Sequence, residues 1–151
     1  MSLGSLLVTL VFLLPFGGGI LLTLLPRVGT ARSMASIGVS SAHLGLSLWL
    51  WQIVWTQGLQ SVNFSGWQPP YGIAFAADTF SATFLVAAST VIWLGVWSAH
   101  HTCSGENQLN LLHPLIQILT AGITGAFLTT DLFNLYVWFE VMLMASFIII
   151  A

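Results

Sequence analysis

Five apolar stretches, each close to the length that crosses a bilayer, occupy most of this chain of 151 residues. They cover residues 3–25, 34–56, 75–99, 111–130 and 132–151, and a hydrocarbon core about 30 Å thick takes roughly 20 helical residues per crossing. Backbone polar groups in lipid must bond internally, so stretches of this length predict helices. Only 4% of the residues are charged and 57% are apolar, far from the composition of soluble domains. The predicted fold class is all-α integral membrane, with five transmembrane helices in a single membrane region. A formal net charge of −2 and the lack of a basic run give nucleic acid no footing as a partner.

The ends and connectors refine this layout. Residues 1–25 lack a basic n-region, and their apolar run is too long for an h-region, so they read as a retained span. The "PFGGG" at 15–19 is expected to kink or loosen that helix. Both arginines, Arg27 and Arg32, fall in "PRVGTARS", which the positive-inside rule places in the cytoplasm, leaving the N-terminus outside. Trp49, Trp51 and Trp55 then mark the outer lipid–water boundary. The external loop 57–74 contains Gly, Asn, Ser and a Pro pair, and alternation around "SVNFSGW" allows a short hairpin. In the inner connector "HHTCSGENQLN", adjacent histidines, Cys103 and Glu106 lack a recognised ligand spacing, so no metal is expected; a single cysteine forms no internal disulfide.

The last span, "DLFNLYVWFEVMLMASFIIIA", poses the functional question, because one carboxylate sits inside it. Asp131 marks its outer boundary, and Glu140 follows nine residues later, about 13.5 Å at 1.5 Å per residue, which is close to the midplane. An ionisable group there costs on the order of 2.5–3.5 kcal/mol on insertion scales and is by default a functional candidate. Low dielectric favours the neutral acid and a nearby cation favours the carboxylate, the opposed pulls that a proton carrier needs. The plainer alternative is a protonated acid donating one hydrogen bond to a neighbouring helix. Helical spacing puts Tyr136, Val137, Leu143 and Met144 on its face, and of these only Tyr136 could bond to it.

The fourth span carries His113, Gln117, Thr120 and Thr124 at offsets of four, three and four, a polar stripe on one face. Such a stripe either lines a wetted path or bonds helices together; packing is favoured except at His113. That histidine is placed near the cytoplasmic interface, where it either passes protons or is merely interfacial. His43 groups with Ser40 and Ser41 in the second span. The two histidines differ in expected depth by about 10 Å, which argues against a shared haem and favours inter-helix bonding. No phosphate loop, nucleophile elbow or paired zinc motif occurs, so the chain is not expected to be an enzyme or to bind a cofactor.

The stretch "GWQPPYGIAFAAD" and the run "HPLIQILTAGITGAFLTTDLFNLYVWFEVMLMASF" closely resemble the D-type subunit of Mrp-type multisubunit Na+/H+ antiporters, a relative of the antiporter-like membrane subunits of respiratory complex I. The resemblance implies that Glu140, in the "WFEVM" motif, is an essential intramembrane acid that pairs with a lysine on the seventh helix. It implies about fourteen helices with two inverted five-helix repeats, over the fourth to eighth and ninth to thirteenth. This sequence has no lysine, so an N-terminal fragment ending within the first inverted repeat is expected, without transport of its own. The expected function is part of a proton-translocating subunit of a bacterial plasma-membrane Na+/H+ antiporter. Its partners would be other subunits of that complex, protons, Na+ and lipid. Asp131, Tyr136 and His113 are secondary candidates. The alternatives are a structural membrane subunit with a permanently protonated glutamate, and the equivalent part of a complex I-type pump.

Overall fold

The structure is a computed structural model that describes residues 2–25, 31–64, 72–102 and 106–150, with the side chains of the last stretch described from 111 onward. Arg27, Cys103, the side chain of Glu106 and residues 66–71 of the "GWQPPYGIAFAAD" motif lie outside the described residues. Among the described residues there are five helices, α1 (Leu3–Leu24), α2 (Ala31–Gln57), α3 (Thr79–Thr102), α4 (Glu106–Leu128) and α5 (Leu132–Ile150), all with spans long and apolar enough to cross a membrane. A short hairpin, β1 (Gln60–Asn63) and β2 (Ala74–Ala77), connects α2 to α3; it is antiparallel, with Gln60 opposite Ala77 and Asn63 opposite Ala74.

Helix α1 runs through Pro15 without a break, contrary to the expected interruption at "PFGGG". The glycines there act in packing instead. A Cβ on Gly18 would lie 2.7 Å from Val39 Cγ1 of α2, and one on Gly19 would lie 2.9 Å from Ile118 Cγ1 and 3.3 Å from the Pro114 carbonyl of α4. The absent side chains let three helices meet closely, and that packing holds α1 together where one backbone bond is missing. Arg32, 5% exposed, folds back over the end of α1. Its Nε donates to the Leu25 carbonyl at 3.1 Å and its Nη2 to the Thr23 carbonyl at 3.2 Å, with a further contact from Nη2 to Leu25 O. These carbonyls have no partner within the helix, and a cation suits that end of the helix dipole.

The third span starts later than expected. Phe75, Ala76 and Ala77 are in strand β2 rather than helix, because their backbone groups pair with β1 and Asp78 caps the helix that follows. Asp78 Oδ1 accepts from Ser81 N at 2.7 Å, and Ser81 Oγ accepts from Asp78 N at 3.0 Å, a reciprocal cap. Those bonds, the Ser81 backbone N–H foremost, hold the Asp78 carboxyl below the ordinary carboxylate range. Helix α4 begins at Glu106, ahead of the span expected from residue 111. It is the central helix, touching α1, α2, α3 and α5.

The interior divides into two halves. Toward the hairpin it is apolar, built on Leu7, Val11, Leu50, Val54, Phe75, Leu85 and Leu128. Phe12 caps this half with edge-on contacts to Phe75 and Trp138, both at 5.0 Å between ring centroids. Toward the opposite end, where Arg32 and His100 lie, the buried side chains are largely polar.

Candidate functional site

Helix α5 presents one edge to α4. Asn134 and Ala145 are buried, with Trp138 and Met142 half-buried between them, at offsets of four, four and three that define one helical face. Gly122 and Gly125 of α4 receive this edge. A Cβ on Gly122 would lie 2.7 Å from Met142 Cγ and 3.2 Å from Met142 N, and one on Gly125 would collide with the Trp138 ring. Close approach through small residues is how helices associate in lipid.

Glu140 lies on the opposite side of α5. It is exposed, as are Tyr136, Val137, Leu143 and Met144 around it, and among the described residues it has no hydrogen-bond or ion-pair partner. Tyr136 shares the face without bonding to the carboxyl. The acid thus points away from α1–α4, and any group that compensates it must approach from the far side of α5.

Asp131 has a structural task. Its Oδ1 accepts from Phe133 N at 2.8 Å and Asn134 N at 3.2 Å, capping α5 as an N-terminal aspartate does. The turn before it is tied to the hairpin. Thr130 donates from N and Oγ1 to the Ala74 carbonyl at 3.3 and 3.0 Å, Thr129 bridges Phe75, and Asn134 Nδ2 donates to Thr129 Oγ1 at 2.9 Å. The depth of Glu140 is therefore set from a fixed origin.

The second set of candidates is interior. His113, Gln117, Thr120 and Thr124 are all buried, and their stripe faces α2. Gln117 Nε2 donates to Ser36 Oγ at 3.1 Å, to the Ser36 carbonyl at 3.2 Å and to Ser40 Oγ at 2.8 Å. His43 Nε2 lies 3.2 Å from Thr124 Oγ1, its Nδ1 lies 3.2 Å from Ser89 Oγ, and Ser89 Oγ lies 3.1 Å from Ser47 Oγ. At the far end Ser33 Oγ is 2.6 Å from His100 Nδ1. His43 thus belongs to the same cluster as the α4 stripe. Ser41, grouped with it from sequence, faces outward and accepts from Trp93 Nε1 at 2.9 Å. The signal that would have joined them is the spacing of Ser33, Ser36, Ser40, His43 and Ser47, offsets of three and four throughout.

His113 is not an exposed interfacial group: it is 0% exposed, and both its ring nitrogens lack a partner among the described residues, as does Gln117 Oε1. An orphaned buried polar group costs about 1–3 kcal/mol, so this spot has an unmet demand for hydrogen bonds.

No family model matches the chain. Over 144 residues it is 38% identical to the D-type Na(+)/H(+) antiporter subunit of Bacillus subtilis, a match covering 95% of this chain and 29% of that protein. The subunit of the same name from Alkalihalophilus pseudofirmus gives the same figures. A putative antiporter subunit mnhD2 of Staphylococcus aureus is 38% identical over 152 residues, 99% of this chain and 30% of that protein. In three dimensions the chain superposes on part of the membrane-bound sulfane sulfur reductase, an archaeal respiratory membrane complex, with a TM-score of 0.77 over 93% of this chain and 29% of that one. At 22% identity that likeness establishes the fold. The chain spans about 29% of the length of the first two relatives. Matched along nearly all of its own residues, the chain belongs with the D-type Na+/H+ antiporter subunits and the mnhD2 proteins, as the homologue of one stretch of them.

Proposed function

We propose that this chain acts as the corresponding part of a proton-translocating subunit in a multisubunit Na+/H+ antiporter, with Glu140 as the intramembrane proton carrier. The observation that carries the reading is the position of Glu140: mid-helix on α5, its depth fixed by the Asp131 cap, and facing away from its own bundle. A carboxyl so placed is useful only if a cationic or hydrated surface covers it, because in lipid it is costly. A cation there would favour the carboxylate, and its withdrawal would favour the protonated acid, so the pair takes up and releases one proton. Tyr136, on the same face, is positioned to bond with that partner group. The relatives are named as antiporter subunits, so the working unit is a membrane complex, set in the bacterial plasma membrane with the hairpin side outside.

A second reading, a subunit of a respiratory proton pump, draws on the likeness of fold to the sulfane sulfur reductase complex. The genes flanking this one separate the two, since each kind of complex needs different partners. The test of the main reading is Glu140→Gln in the full-length subunit, assembled with its partners in everted vesicles. Loss of Na+-dependent proton exchange is expected; undiminished exchange would sink the assignment. If instead the subunit is only a scaffold, the infrared band of the Glu140 carboxyl would stay that of the protonated acid across about pH 5 to 9.

A further inference from the structure

We infer that the polar half of the interior is a hydrated proton relay, running from His100 at the Arg32 end through His113 and Gln117 to His43, and separate from the outward face of Glu140. Three observations carry it. First, the polar groups are continuous: Ser33 bonds to His100, Gln117 to Ser36 and Ser40, and His43 to Thr124 and Ser89. From Ser33 to Ser47 the file climbs about 21 Å along α2, at 1.5 Å per residue. Second, its one gap is His113, buried with both nitrogens unpartnered, one turn from the equally unpartnered Gln117 Oε1. Buried polar sites with several unpaired donors and acceptors are where internal water binds, typically through about three bonds. Third, the file stops at the apolar cluster of Leu50, Val54 and Leu85. It is therefore a blind branch open at one end, which lets protons in without letting them across.

The groups facing His113 suit that role. From α2 come Ser33, Ser36 and, at the mouth, Arg32; from α3 comes His100, close enough to act on His113 electrostatically. Helix α1 has no titratable side chain, and the acid of α5 faces away. In each passage an imidazole binds a proton on one nitrogen and releases the proton from the other, ending as the opposite tautomer with no change in electron count. Rotation of the ring, or passage in reverse, restores it.

Hydration of the branch is independent of the proposed proton translocation, whereas the relay role rests on it. The test uses the full-length subunit in its assembled complex in lipid, with 15N-labelled histidine. In water-edited solid-state NMR, His113 ring signals, assigned by their loss in His113→Gln, are expected to gain intensity from water as quickly as those of His100. Build-up as slow as that of amides in the apolar half overturns the inference. In parallel, His113→Gln and His43→Gln, which keep hydrogen bonding but do not titrate, are expected to slow proton uptake by about tenfold or more and to flatten its pH profile. Unchanged uptake in an assembled His113→Gln complex overturns the relay even if the ring is wet. Should that variant fail to assemble, the wild-type NMR decides, with signals assigned through His43→Gln and His100→Gln. A wet His113 together with full exchange in Glu140→Gln would defeat the carrier assignment and leave the hydrated branch standing.

Discussion

One imidazole, that of His43, joins three helices: its Nε2 lies 3.2 Å from Thr124 Oγ1 on α4 and its Nδ1 lies 3.2 Å from Ser89 Oγ on α3. Hydrogen bonds between membrane helices average about 0.6 kcal/mol in double-mutant cycles, because the unfolded chain in lipid also finds partners. Thr124→Val, which keeps shape and removes the hydroxyl, is expected to cost about that amount. The check is a cycle with His43→Phe by denaturation in micelles. Strictly additive losses would show that the two residues do not interact.

The seam between α4 and α5 rests on Gly122 and Gly125. Gly122→Val places branched carbons against the Met142 backbone, and overpacking of this kind typically costs about 1–3 kcal/mol. Thermal unfolding should record that loss, and α5 should become accessible to protease. Gly38 of α2 faces open space, so Gly38→Ala is the matched control, with stability unchanged or slightly raised.

Arg32 binds the free carbonyls at the end of α1. Hydrogen bonds from charged donors contribute about 1.5–3 kcal/mol, and Arg32→Gln is expected to lose stability within that range. Arg32→Lys should recover only part of it, since a lysine lacks the planar fork that reaches two carbonyls. Unfolding midpoints of the three proteins in one detergent give the comparison.

Asp78 supplies a pH-dependent term. Its carboxyl is held below its ordinary value in the folded protein, so in the acid range the unfolded chain binds more protons. The stabilisation is fully present above the unfolded pKa, about 3.9, and is lost as pH falls through the lower folded value. Asp78→Ala is expected to cost about 1 kcal/mol at neutral pH, with the difference from wild type shrinking in the acid window. A pH series of unfolding free energies tests both points.

The five helices were legible because lipid leaves a chain of this hydropathy few choices, and run length alone separates one crossing from the next. Features that depend on which face meets which were not. The stripe of His113 to Thr124 was visible as a stripe, but periodicity within α4 does not reveal that it faces the serines of α2. His113 was placed near the interface because the span was counted from residue 111, whereas α4 begins at Glu106 and the histidine lies deeper among its neighbours. At 15–19 the glycines looked like a weak point, since a missing Cβ reads as flexibility until the neighbours that fill its place are known. Glu140 was located by counting, and its outward orientation needed the packed edge of α5, which Trp138 and Met142 define only against Gly122 and Gly125.

The division of the interior into a polar and an apolar half also shapes the electric field. Hydroxyls and imidazoles reorient in a field and the side chains around Leu50 and Leu85 do not, so the transmembrane voltage falls mainly across the hairpin half. Carrying one charge across the whole membrane involves about 2.3 kcal/mol per 100 mV. A charge moving along the file from Arg32 to His43 crosses little of that drop, and most of the electrical work is concentrated in the thin apolar layer beyond.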